Sequence, residues 1–125
     1  MDGQTRFKDR VILVTGATSG IGRCCARKLV EEGAKVVAAG RRQDRLDRLA
    51  AETGAAGGEL VGVPGDVRDE AAGPAWVAAA VGRFGGLDGL VNAAGVMVGG
   101  GLLDLAPAEW DRRMDTNLRG MYLLT

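Results

Sequence analysis

Residues 11–22 read VILVTGATSGIG. The first four, Val11, Ile12, Leu13 and Val14, are apolar and mostly β-branched, and with Thr15 they have the composition of a strand buried on both faces of a parallel sheet. A turn with glycine at positions 16, 20 and 22 follows at once. Glycine reaches backbone conformations closed to other residues and leaves no Cβ between the main chain and a ligand. Over residues 21–32 the spacing becomes helical, with Ile21, Cys25, Leu29 and Val30 on one side and Arg23, Arg27, Lys28 and Glu31 largely elsewhere; Gly33 stands where a helix stop belongs. In a strand, glycine turn and helix, the free N–H groups and positive end of the helix face any anion that settles on the turn, a pyrophosphate above all. The alternative use of the same glycines is a tight turn made only for packing.

The pattern recurs along the chain. Residues 35–39 (KVVAA) read as a second buried strand, 44–53 (DRLDRLAAET) as a polar-faced helix, and 59–63 (ELVGV) as a third strand. A helix is expected over 70–82, its regular part confined to about Ala75 onward because Gly73 and Pro74 cost helix stability. Residues 86–92 (GLDGLVN) supply a fourth strand. From Pro107, a favoured first helical residue, Trp110, Met114, Leu118, Met121 and Tyr122 recur at three- and four-residue steps, which predicts one helix to the end of the chain. Alternating strands and helices with short connections predict an α/β fold, a doubly wound parallel sheet covered on both faces. Ligands bind beyond the carboxyl ends of such strands. The GAAGG run at 54–58 reads as a loop, and one domain over residues 1–125 is the economical division.

Composition narrows the function classes. Sixteen basic residues balance sixteen acidic ones, so no net field attracts nucleic acid or an anionic membrane. No apolar run approaches the roughly 20 residues of a membrane span, and the start MDGQTRFKDR lacks the apolar core of a signal peptide. A cytoplasmic location is the expectation. The chain has no histidine, which removes the Ser/His/Asp triad and the commonest zinc sites. Cys24 and Cys25, adjacent in sequence, suit neither a structural disulfide nor a zinc site and are expected to pack within the helix.

The glycine spacing is not the G-x-G-x-x-G fingerprint, and no Gly-Lys-Ser/Thr follows as a phosphate loop of a triphosphatase requires. TGATSGIG instead resembles the TGxxxGxG signature of the short-chain dehydrogenase/reductase family. Asp66-Val67, the NAAG tetrapeptide Asn92-Ala93-Ala94-Gly95, and Asn117 within TNLRG agree with that family in order and spacing. The resemblance covers nearly the whole chain and implies a Rossmann fold, here its N-terminal, cofactor-binding half.

By this resemblance Gly16, Thr18, Ser19, Gly20, Ile21 and Gly22 line the pyrophosphate and adjoining ribose. Asp66 accepts a hydrogen bond from the adenine amino group, with the Val67 backbone beside the ring. Asn92, Ala93, Ala94 and Gly95 hold the end of the fourth strand near the nicotinamide-side ribose, Ala93 standing where many relatives have a second asparagine. Asn117 is a supporting catalytic residue that helps hold a water in a proton relay. About twenty residues past the glycines, where an acid would bond the ribose 2′-hydroxyl of NAD, the chain has Arg41 and Arg42. A guanidinium pairs with a 2′-phosphate that an acid would repel, so NADP(H) is the expected cofactor, with NAD(H) still possible. The other reading of the two arginines is the start of a solvated helix.

The family's serine, tyrosine and lysine are expected beyond Thr125. Tyr122 does not fit, since its fourth following position would be 126, and the only lysines are Lys8, Lys28 and Lys35. The 125 residues alone are therefore expected to be inactive. Two accounts remain open: a reductase acting on a carbonyl or alcohol substrate, of which this is a fragment, or a short non-catalytic nucleotide-binding or interaction protein. The resemblance further implies a homodimer or homotetramer, and a fourth strand without a neighbour predicts poor solubility or association of the isolated chain.

Overall fold

A computed structural model describes residues 6–96 and 101–125; the first five residues of the polar start lie outside it. Four strands, β1 (Val11–Val14), β2 (Lys35–Gly40), β3 (Glu59–Pro64) and β4 (Gly89–Val91), form one sheet in the order β3-β2-β1-β4. All three pairings are parallel, with Leu13 opposite Val37 on one side and Leu90 on the other. The expected doubly wound parallel sheet is what the chain forms.

The two-residue period of a strand sends neighbouring side chains to opposite faces, and the core divides accordingly. Ile12, Val14, Val36 and Ala38 pack with Ala26 and Val30 of α1 (Gly20–Glu31) and with Leu46 and Leu49 of α2 (Gln43–Thr53). Val11, Leu13, Val37 and Ala39 pack on the other face with Ala72, Trp76 and Ala80 of α3 (Ala72–Phe84). β1 and β2 are thus buried on both sides, the reason their sequences are unbroken apolar runs.

Four local expectations are corrected. α1 buries Gly22, Ala26 and Val30, one position on from the expected stripe. Ile21 is 77% exposed, and Cys24 is exposed too, while Cys25 is partly covered. α3 begins at Ala72, three residues before the expected regular part. Pro74 lies in its first turn, where no intrahelical acceptor exists for an N–H, and Gly73 packs beside Leu124. β4 is shorter than residues 86–92, because Asp88 brackets Val11 outside the ladder: its carboxylate accepts from Val11 N at 2.8 Å, and its own N–H donates to Val11 O at 2.8 Å.

The fourth correction concerns the last helix, which is not uniform. α4 (Pro107–Met114) passes through a π-helical turn (Asp115–Arg119) into α5 (Gly120–Leu124). A π turn holds more residues per revolution than an α turn, so the three- and four-residue spacing of the stripe does not keep one register across Asp115–Arg119. The apolar stripe of Trp110, Met114, Leu118, Met121 and Tyr122 faces outward, 37–75% exposed. Among the described residues no helix is long and apolar enough to cross a membrane.

Candidate functional site

The strand order reverses between β1 and β4, and a crevice opens past their carboxyl ends, where ligands settle in open α/β sheets. Gly16, Thr18 and Ser19 after β1, Arg41 after β2, Asp66, Val67 and Arg68 after β3, and Ala93, Ala94 and Gly95 after β4 all line one cleft there. Arg112 of α4 and Thr116 of the π turn close its far wall.

The glycine turn is shaped by two demands. Gly16 has φ +63°, and a Cβ on it would lie 2.5 Å from Ala93 O, so the turn and the NAAG segment touch through backbone alone. Gly22 is packed equally hard, since a Cβ there would lie 2.1 Å from Gly16 O. Gly20 differs. Its φ is +54°, and a Cβ on it would meet nothing within 4 Å, so its bare backbone looks into open space. It opens α1, whose N-cap Ser19 makes no side-chain cap bond and whose first turn contains no acid. The first N–H groups of a helix lack internal acceptors and carry its partial positive charge. This end of α1 is fitted to an anion.

Thr15, quoted in the motif but given no role by it, joins the two loops. Its side chain is 1% exposed; its Oγ1 accepts from Ala93 N at 3.2 Å and Ala94 N at 3.3 Å, and donates to Val91 O at 3.4 Å. Asn92 Oδ1 is buried with no partner, an acceptor of the kind that a bound ligand's hydroxyl satisfies.

At the β3 end Asp66 is chelated by Arg68. Arg68 N donates to Oδ1 at 2.9 Å, Nε to Oδ1 and Oδ2 at 3.1 and 3.2 Å, and Nη2 to Oδ2 at 2.8 Å. The Arg68 side-chain bonds, outweighing partial burial and assisted by the charge of Arg41, hold the Asp66 carboxyl below its ordinary range. Nothing in the sequence pattern singled out Arg68. Among the described residues Arg41, Arg68 and Arg112 face the cleft against one lining carboxylate, Asp66, with Arg112 also 3.5 Å from Glu109. The cleft is therefore cationic.

Asn117 stands just beyond, beside a second recess formed with Ala94, Gly95, Val96 and Arg113. Its Oδ1 accepts from Val96 N at 2.7 Å and its Nδ2 donates to Val96 O at 2.9 Å. A side chain in the π turn thus clamps the strand-like segment after β4, and π turns recur at functional sites for their ability to re-aim such groups.

Residues 10–125 match the family described as short chain dehydrogenase. The chain belongs to the short-chain dehydrogenase family. It is 43% identical over 120 residues to a serine 3-dehydrogenase of Agrobacterium fabrum, covering 91% of this chain and 45% of that protein. Among solved structures it superposes on a short chain dehydrogenase from Mycobacterium smegmatis with a TM-score of 0.91 at 33% identity, covering 99% of this chain and 52% of the other. It also superposes on an actinorhodin polyketide ketoreductase solved with NADPH, with a TM-score of 0.86 at 43% identity over 92% of this chain and 44% of that one. The chain spans about half the length of the curated relatives it matches.

Nine of the short-chain dehydrogenase motif residues anticipated from sequence come together in the cleft: Gly16, Thr18, Ser19, Arg41, Asp66, Val67, Ala93, Ala94 and Gly95. Gly20, Ile21 and Gly22 form the adjoining helix start, Asn92 directly follows β4, and Asn117 stands in the neighbouring recess. Arg42 does not line the cleft; it is the N-cap of α2. Gly65, Arg68, Trp76, Arg112 and Thr116 line it without having been anticipated.

Proposed function

We propose that the chain is the nucleotide-binding domain of an oxidoreductase that moves a hydride between NADP(H) and the carbonyl or alcohol of a small molecule. The observation that carries this is Gly20: a positive-φ glycine at an uncapped helix start, its backbone bare toward open space, directly after Ser19, which lines the cationic cleft. The dinucleotide, when bound, supplies the hydride chemistry.

The chain's own residues bind and orient. Gly16, Thr18, Ser19, Gly20, Ile21 and Gly22 hold the pyrophosphate through backbone N–H groups and the end of α1. Asp66 and Val67 hold the adenine, and Asn92, Ala93, Ala94 and Gly95 the nicotinamide-side ribose. Asn117 serves catalysis in support, fixing Val96 from the π turn. Among the described residues no tyrosine or lysine lines the cleft, and Tyr122 is 75% exposed on α5. In this reading the 125 residues supply cofactor binding, as the first half of a reductase about twice as long, a length that the half coverage of relatives supports. The outward apolar stripe of α4 and α5 supports the homodimer or homotetramer implied by the family resemblance.

Arg41 carries the preference for NADP(H) over NAD(H), and Arg42 adds only longer-range charge from outside the cleft. A hydrogen bond to a charged group contributes about 1.5–3 kcal/mol. Arg41 is exposed, so salt screens it and the lower end applies, about tenfold in affinity. Titrating NADPH and NADH by cofactor fluorescence tests this: R41A is expected to weaken NADPH about tenfold and leave NADH nearly unchanged. An unchanged NADPH-to-NADH ratio removes the assignment.

A further inference from the structure

We infer that Arg68 is a positioning residue for base recognition, holding the Asp66 carboxylate in one orientation so that an exocyclic amino group meets a fixed acceptor. The inference rests on the nucleotide-binding reading above and names the residue that makes its adenine contact selective.

A carboxylate offers about four lone-pair sites. Arg68 brings three hydrogens to Asp66, one each from N, Nε and Nη2, with Nε shared between both oxygens. The backbone bond fixes the carboxylate relative to the turn, and the guanidinium fixes its plane, because a guanidinium edge matches a carboxylate in one geometry. Each oxygen thus takes two contacts, so an amino hydrogen reaches the carboxylate only from the side away from Arg68. An acceptor-only carboxylate held in this way takes an amino hydrogen and repels a carbonyl oxygen at the same position, so it separates adenine from hypoxanthine.

Arg68 is itself held. Arg119, in the π turn, donates from Nη1 to Arg68 O at 3.2 Å and from Nη2 to Glu70 Oε1 at 2.9 Å. Next to it Gly120 packs against Val67 so closely that a Cβ would lie 2.9 Å from Val67 Cγ2. The turn carrying Asp66 is thereby pinned to the element that carries Asn117. The Asp66 and Arg68 side chains are 28% and 39% exposed, and both residues line the cleft.

The test is binding of ADP and of inosine diphosphate, its 6-oxo counterpart, to the full chain by calorimetry. Wild type is expected to favour ADP by about tenfold, the lower end for a charged hydrogen bond. R68A and R68M, the second keeping the side-chain stem and its packing, are expected to bring the ratio to within about threefold, since a freely turning carboxylate offers no fixed acceptor. R68K, which keeps the charge without the planar edge, is expected to fall between. A tenfold ADP preference retained by R68M overturns the inference while leaving the nucleotide site standing, and so does equal weakening of both diphosphates at a constant ratio. Failure of the wild type to bind either diphosphate overturns the nucleotide-binding reading and the inference with it.

Discussion

Gly20 and Gly22 stand two residues apart at the start of α1 and should fail in opposite ways when each is replaced by alanine. At Gly22 the new methyl would lie 2.1 Å from Gly16 O, 2.6 Å from Gly16 C and 3.0 Å from Thr15 O. Ordinary carbon–oxygen contacts begin at roughly 3.3 Å, so backbone at the end of β1 must move by about 1 Å. Overpacking of this kind costs about 1–3 kcal/mol or more, and the obstruction here is main chain that cannot rotate away; about 3 kcal/mol is expected, a fall of roughly 10 °C in Tm. At Gly20 the methyl meets nothing within 4 Å, and the cost is the left-handed φ of +54°, about 1–2 kcal/mol, or roughly 5 °C. The order reverses for ligand. On the proposed reading an anion reaches the helix start beside Gly20, so G20A is expected to lose at least about tenfold in NADPH affinity, the equivalent of one charged hydrogen bond. Thermal unfolding by circular dichroism and NADPH fluorescence titration measure both. If G20A binds NADPH as wild type does, or melts below G22A, the assignment of Gly20 to ligand and Gly22 to packing is refuted.

Two further outcomes are expected. N117A removes both bonds to Val96, leaving the segment after β4 without its clamp; amide exchange at Val96 should rise about tenfold, corresponding to about 1–1.5 kcal/mol of lost local protection, and unchanged exchange would mean that the clamp holds nothing. Asp66 titrates below its ordinary range in the folded chain, chiefly through Arg68; a carboxyl depressed on folding contributes stability that is complete above the unfolded pKa and lost as pH falls through the folded one. D66N should therefore be less stable than wild type at neutral pH and converge with it in acid, in urea unfolding followed from pH 7 downward. A gap that stays constant into acid would show that the ionised carboxylate adds nothing to the fold.

The sequence alone determined the fold class, the place of the first three strands and their helices, and the clustering of the glycine turn, Asp66-Val67 and the NAAG segment at one end of the sheet. These are local properties: unbroken apolar runs, helical spacing and glycine punctuation are written into consecutive residues, and a right-handed crossover then leaves a parallel sheet little choice of arrangement. Tertiary structure decided the rest. Whether Ile21 or Gly22 faces the core depends on how α1 lies across the sheet, and Pro74 is admitted to α3 only because it falls in the first turn. The Arg68 chelate of Asp66 and the Thr15 link to Ala93 and Ala94 depend on side-chain rotamers and on approaches between segments as far as 79 residues apart. The π turn that aims Asn117 at Val96 carries no signature in composition, because the register slip that makes it is set by what the helix meets and not by what it contains.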